Sequence, residues 1–428
     1  MSPVRKSDSA VQKSDRQSAY PRNLTGPVRE SLAESPVVAI VGARQVGKST
    51  LVKELIQKGH QAEYITFDDP ATREFATAEP RAFLERFEGN VALDEVQLVP
   101  ELMRAIKISV DRDRRPGRFL LTGSANVLTI PRVAESLAGR MELHTLWPLS
   151  QGELERRRET FIDRIFDAKT LQYGEHAAIR DDVVTRALIG GYPEAVARSP
   201  RPRMRWFRSY LDTVIQRTAR EIREIERTAE LPRILGALAG RPGSILNRAE
   251  LSRVLGINVK TLDRYLTLLD QIFLVRLLPA WQQNIGKRLV KHPKVLLDDT
   301  GLLGFLSGIS ADRFKVDPAF AGPVLENFVG LELLKQIGWS TDAPNLYHFR
   351  SHEGDEVDFV LERREGTLVG IEVKAGPNIQ SADFKGLAAL LAARPKKVVR
   401  GVLLYTGSTT VPHGPGLLAL PMTALWRM

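Results

Sequence analysis

The chain has 428 residues, 43% of them hydrophobic, with 61 Lys+Arg against 51 Asp+Glu for a formal net charge of +10. At about 150 residues per domain this means two to four domains with apolar residues enough for several cores, which excludes a wholly disordered protein. Cysteine is absent, no run of about eighteen apolar residues occurs, and Met1 to Tyr20 is polar and charged. Disulfides and thiolate metal sites are therefore excluded, and a cytoplasmic protein without a spanning helix or signal peptide is expected.

Residues 1–25 read as a flexible tail in which Arg5, Lys6, Lys13, Arg16 and Arg22 outnumber Asp8 and Asp15. Val37-Val38-Ala39-Ile40-Val41 is a continuous β-branched run, the mark of a strand buried on both faces. A glycine-containing loop follows, then Ser49 to Lys58 with Leu51, Leu55 and Ile56 at helical spacing. Tyr64–Phe67, Val91–Leu93 and Arg118–Thr122 read as further strands, so strand and helix alternate as in a parallel α/β sheet. After Trp147-Pro148 the chain turns helical and charged. One amphipathic helix is predicted over Arg203 to Arg227, with Phe207, Tyr210, Leu211, Val214, Ile215, Ile222 and Ile225 on its apolar stripe. Its many arginines form either a solvated face or a ridge toward phosphates.

Gly42-Ala43-Arg44-Gln45-Val46-Gly47-Lys48-Ser49 fits G-x-x-x-x-G-K-[ST] at every fixed position, between a buried strand and a helix. Glycines let such a loop turn successive N–H groups inward on phosphates, where the lysine reaches the β- and γ-phosphates and the serine hydroxyl ligates Mg²⁺. The helix adds its positive end. Val91-Ala92-Leu93-Asp94-Glu95 supplies the second half: Asp94 for the metal shell, Glu95 to polarise the attacking water. Ser124 or Asn126, at the end of the next strand, could sense the γ-phosphate, and Arg44 or Arg140 could neutralise its charge. No Asn-Lys-x-Asp sequence is present to read guanine, which favours ATP.

Ala249–Leu255, Gly256-Ile257-Asn258 and Val259–Asp270 have the lengths and turn of a helix-turn-helix, with Leu251, Val254, Leu255, Leu262, Leu266 and Leu269 as its small core. Its second helix would present Asn258, Lys260, Thr261 and Arg264 outward, types suited to phosphates and base edges, with Ile272–Leu277 as a wing strand. A helical hairpin used only for packing is the alternative.

Glu356–Leu361 and Val369–Lys374 read as adjacent strands joined by a short charged turn. Residues two apart share a face, so Glu372 and Lys374 point the same way and Asp358 can join them if the hairpin is in register. Two carboxylates and a lysine so placed suit a metal-dependent nuclease, and Glu326 could add a ligand. A surface strand pair with cross-strand ion pairing is the other reading.

Together these residues resemble a prokaryotic family of AAA-type (AAA+) ATPases that joins a P-loop module to a winged helix and a C-terminal domain of the PD-(D/E)xK nuclease type. The likeness runs from about Tyr20 to about Leu390 and also draws on Ser136–Arg140, Gly190-Gly191-Tyr192-Pro193-Glu194, Lys287–Lys291, Asp299-Thr300-Gly301-Leu302 and Leu325–Val329. It implies an α/β chain: a flexible basic tail at 1–25, a P-loop parallel-sheet ATPase domain at 26–150, a helical linker or lid at 151–235, a winged helix-turn-helix at 236–285 and a restriction-endonuclease-like domain at 286–428. It further implies that Gly42 through Thr50, with Asp94 and Ser124, hold ATP, and that Ser49 and Asp94 hold its Mg²⁺. Lys48, Glu95 and Arg140 would serve hydrolysis, Arg140 across a subunit boundary in a homo-oligomer. Glu326, Asp358 and Glu372 would hold a second metal, with Lys374 beside it. The function implied is an ATPase that couples its nucleotide state to DNA binding and to Mg²⁺-dependent cleavage. A nucleotide-switched DNA-binding regulator or signalling ATPase with a non-cutting docking domain is the alternative, and no membrane partner is expected.

Overall fold

In the computed structural model, residues 20–124, 137–167, 171, 173, 180–221, 230–282, 288, 292–310, 321–351 and 353–428 are described. Val37–Val41 is buried along its whole length and forms β1, an interior strand of a five-stranded sheet. Ala62–Thr66 (β2), Asn90–Asp94 (β3), Phe119–Gly123 (β4) and Met141–Thr145 (β5) complete it in the order β2-β3-β4-β1-β5, every pairing parallel. Four of these strands lie where the sequence places them. β5 was not predicted: Met-Glu-Leu-His-Thr carries no apolar run because it is an edge strand, with Leu143 exposed. Glu142 of β5 is fastened instead by the hydroxyls of Ser31 and Ser35.

The long middle helix spans Pro200–Glu221 and buries Phe207, Tyr210, Leu211 and Val214. Ile222 and Ile225 lie outside the described residues. Helices Arg248–Leu255 and Val259–Gln271 follow, turning at Gly256 (φ +69°), where a left-handed residue ends the first helix. Leu251, Leu255, Leu262, Leu266 and Leu269 are buried as expected. Val254 is not: it is 62% exposed, on the far side of its helix. The strand expected from Ile272 begins later. Phe273, with φ +58°, turns the chain first, and Val275–Leu278 (β6) then pairs antiparallel with Lys294–Leu297 (β7).

The C-terminal sheet has the order β12-β13-β11-β10-β9-β8, from Asn345–Arg350 (β8), Glu356–Glu362 (β9), Leu368–Lys374 (β10), Val398–Tyr405 (β11), Val411–Pro412 (β12) and Leu417–Pro421 (β13). β9 and β10 form the expected antiparallel hairpin, Phe359 opposite Ile371. Helix Ala321–Ile337 is buried nearly all round, including Asn327, Glu332 and Gln336. One apolar core runs from Leu24 through the ATPase sheet and this helix to Met428. A smaller one, around Trp281, Phe384 and Leu403, lies across the C-terminal sheet. Among the described residues no helix is long and apolar enough to cross a membrane.

Candidate functional site

β1 ends at Val41, and the chain turns through Gly42–Gly47 into helix Lys48–Gln57. The turn uses positive φ at Gly42 (+152°), Gln45 (+61°) and Gly47 (+101°). A Cβ on Gly42 would lie 2.2 Å from the carbonyl oxygen of Leu146, so only glycine fits where the loop leaves the sheet. The helix therefore opens its first N–H groups and positive end onto the loop. Lys48 is 5% exposed, and its ammonium donates to the carbonyl oxygens of Gly42 (2.9 Å) and Ala43 (2.8 Å). Burial pulls its pKa down to about 8, against the opposing charges of Glu95 and Asp94, and the neighbouring Arg44 depresses it further.

β3 delivers Asp94 to the same end of the sheet. Its buried carboxylate accepts from Ser49 Oγ at 2.9 Å, from the Tyr64 hydroxyl at 2.6 Å and from the Thr122 hydroxyl. Burial first, then the bond to Asp94, raises the pKa of Tyr64. Glu95 adopts φ +60°, a conformation non-glycine residues seldom hold, and its N–H donates to Thr122 Oγ1 at 3.3 Å. Gln97 donates from one amide nitrogen to both the Glu95 carboxylate and Ser124 Oγ, the latter at 2.9 Å. The expected Lys48, Ser49, Asp94, Glu95 and Ser124 thus meet at one end of the sheet, while Asn126 lies outside the described residues. The all-oxygen pair of Ser49 and Asp94 fits the Mg²⁺ that accompanies a nucleotide.

This end of the sheet faces a cavity of about 600 Å³, lined by Arg22, Gln45–Leu51 and Glu95 and also by Tyr20, Pro193, Arg198 and Trp206. Trp206 is stacked on Tyr210, with ring centroids 5.1 Å apart. Arg22, counted with the flexible tail from sequence, is instead a buried strap. Its guanidinium donates to Val46 O (2.7 Å), Trp147 O (2.6 Å) and Glu153 Oε1 (3.2 Å). Its partners lie 24, 125 and 131 residues away, so no local pattern could mark it. Thr122 and Gln97 were also missed, although they sit beside motifs already singled out.

Arg140 does not join the site. Its carbonyl accepts from Val37 N, at the start of β1, whereas the loop follows the other end of that strand, about 17 Å away by strand rise. Its guanidinium pairs with Asp111 at 2.6 Å. On the helical pair, Lys260 and Arg264 are exposed and Thr261 is half-buried. Asn258 caps its own helix by accepting from Lys260 N at 2.8 Å.

The C-terminal carboxylates also converge. Asp358 N–H donates to Glu372 Oε2 at 3.3 Å, and Val373 N–H donates to Asp358 Oδ2 at 3.0 Å. Lys294 of β7 donates to Glu326 and, at 3.2 Å, to Asp358 Oδ1. Lys374 pairs with Asp383. Lys294 thus places an ammonium among these carboxylates. Among the described residues no group of three or more His, Cys, Asp or Glu side chains is arranged to hold a metal.

A parallel sheet of this order, with a glycine-bounded loop after β1 and an Asp-Glu pair at the end of β3, defines an ATPase of the AAA type. A family model described as an AAA domain matches residues 34–155, and two domains of unknown function (DUF8612 and DUF4143) match residues 180–313 and 321–425. The chain belongs to the family of the uncharacterized proteins Rv2008c of Mycobacterium tuberculosis and Mb2031c of Mycobacterium bovis. It is 31% identical to each over 414 residues, which covers 94% of this chain and 83% of theirs. Similar solved structures include the Walker-type ATPase paby2304 of Pyrococcus abyssi, at 17% identity over 68% of this chain and 97% of that one, with a TM-score of 0.42. The RuvB Holliday junction branch migration motor of Thermotoga maritima matches at 18% identity over 59% and 88%, with a TM-score of 0.27.

Proposed function

We propose that this ATPase is a nucleotide-switched DNA-binding protein whose C-terminal domain is a nuclease-like docking module that does not cut. The carrying observation is the cavity itself: the phosphate loop forms one wall, and Pro193, Arg198 and Trp206, from segments beyond the ATPase sheet, form part of the other. A nucleotide seated there touches both, so its γ-phosphate is worth contact energy that differs between the ATP and ADP states.

In this reading the loop N–H groups and Lys48 take the phosphate charge, and Glu95, held in its strained conformation beside Gln97, orients the attacking water. Ser49 and Asp94 would hold Mg²⁺, which would supply charge neutralisation to the phosphates. Helices Arg248–Leu255 and Val259–Gln271 with strands β6 and β7 act as the winged helix, and Lys260 and Arg264 supply cations to DNA phosphates. Arg140 serves a phosphate only in a neighbouring chain, and light scattering that shows a monomer with ATP removes that role. The absence of cysteine accords with a cytoplasmic location.

ATPase rates with and without duplex DNA test the coupling, together with DNA affinity at several salt concentrations in ATP and ADP. Nucleotide-dependent affinity with a steep salt slope and no plasmid nicking in Mg²⁺ or Mn²⁺ is expected. Turnover and DNA affinity that ignore one another overturn the switch.

A further inference from the structure

Lys294 was not singled out by any sequence pattern, yet it stands at the centre of the C-terminal carboxylates. It opens β7 next to Pro293, and its side chain is 8% exposed. Its ammonium reaches Glu326 and Asp358 and lies 5.4 Å from the centroid of the Phe359 ring. Glu372 closes the group through the Asp358 N–H.

The surroundings hold this arrangement in place. Gly243, at φ +69°, packs against Glu326: a Cβ there would lie 2.9 Å from both carboxylate oxygens. Ile245 forms a backbone bridge with Lys294, and Gly243 N–H donates to Val295 O at 3.1 Å, which fixes where the lysine starts. Lys374, the residue expected beside the second metal, is paired with Asp383, and Asp383 is itself engaged by the backbone N–H of Gln380 at 2.8 Å.

Mg²⁺ takes six oxygens at about 2.1 Å and keeps several waters. That shell needs the space the ammonium occupies, and two cations so close together repel strongly in a buried setting.

We propose that Lys294 is a resident cation that takes the place of a divalent metal ion among Glu326, Asp358 and Glu372. The C-terminal domain thereby lacks the divalent-ion site that phosphodiester cleavage would require. This rests on reading that domain as nuclease-like. Its test measures metal uptake without nucleotide or DNA, so a failure of the switch leaves it standing.

The probe is Mn²⁺, titrated into the full chain and followed by electron paramagnetic resonance. Wild type is expected to leave Mn²⁺ free. Lys294→Met is expected to take up about one Mn²⁺ per chain, at least about tenfold more tightly, and Lys294→Met/Asp358→Asn to lose it. Wild-type uptake that Asp358→Asn removes overturns the proposal, and so does a folded Lys294→Met that binds none. Should Lys294→Met not fold alone, it is made in the Glu326→Gln/Asp358→Asn background. There the variant is expected to fold, because the two carboxylates that Lys294 contacts are neutralised. Failure to fold there as well overturns the proposal.

Discussion

Asp299 Oδ2 accepts the backbone N–H of Gly191 at 2.7 Å, joining two segments 108 residues apart. The other oxygen caps helix Thr300–Ser307 through Leu302 N–H at 2.9 Å, and Gly191 O accepts from Leu149 N–H at 2.7 Å. A buried carboxylate from the stretch after β7 therefore pins the loop that carries Pro193 and Glu194 into the nucleotide cavity. Asp299→Ala leaves two buried donors without their acceptor. It is expected to cost about 2–4 kcal/mol in denaturant unfolding. It should also raise the KM for ATP several-fold with a smaller change in kcat.

Lys48→Ala and Glu95→Gln separate charge from water. The first is expected to abolish measurable ATP binding and turnover. Glu95→Gln should retain ATP binding while kcat falls by about 100-fold or more. Binding by fluorescent nucleotide and turnover by phosphate release check the pair, and turnover surviving in Lys48→Ala defeats the loop assignment.

Two glycine substitutions should move in opposite directions. Gly42→Ala puts a methyl group 2.2 Å from Leu146 O and is expected to destroy ATP binding. Gly236, inside helix Glu230–Ala239, has open space where a methyl group would sit, with nothing within 4 Å, so Gly236→Ala is expected to add about 0.5–1 kcal/mol of stability. Fluorescent-nucleotide binding tests Gly42→Ala, and the urea midpoint tests Gly236→Ala.

Arg22→Ala removes a guanidinium that ties the phosphate loop to Trp147 and Glu153. A stability loss of about 2–3 kcal/mol is expected, since Glu153 is left buried without its ion-pair partner. Weaker ATP binding should accompany it, as the loop loses its support at Val46. Thermal unfolding with and without ATP measures both effects.

Asp298 sets a pH dependence. Burial pushes its carboxyl from the ordinary 3.8 up to about 7, with the charges of Asp270 and Asp299 adding to the shift. Arg276, 3.5 Å away, opposes the shift but also serves Asp270, and Asp298 Oδ1 has no partner. Between the two pKa values the folded chain holds a proton that the unfolded chain has lost. This contribution to stability is therefore full below about pH 4 and falls by up to about 1.4 kcal/mol per pH unit until about pH 7. Asp298→Asn should gain more over wild type at about pH 8 than at about pH 5, by urea midpoints at each.

The phosphate loop was legible because its chemistry is local. Gly42, Gly47, Lys48 and Ser49 must be at fixed spacing for the backbone to turn, and the strand before them is apolar at every position. β5 was not legible, since an edge strand half in solvent needs no apolar run. Val254 was misread as core because helical spacing does not say which neighbouring face a residue meets.

The sequence by itself determined an ATPase of the AAA type, because close backbone approach and a lysine at the head of a helix are short-range requirements written in consecutive residues. Only the tertiary structure decided that Arg22 belongs to the nucleotide cavity, that Asp299 holds its far wall, and that Lys294 rather than Lys374 stands among the carboxylates. Those are contacts between distant segments. They are set by how buried charges find partners when the core closes, and no spacing along the chain encodes them.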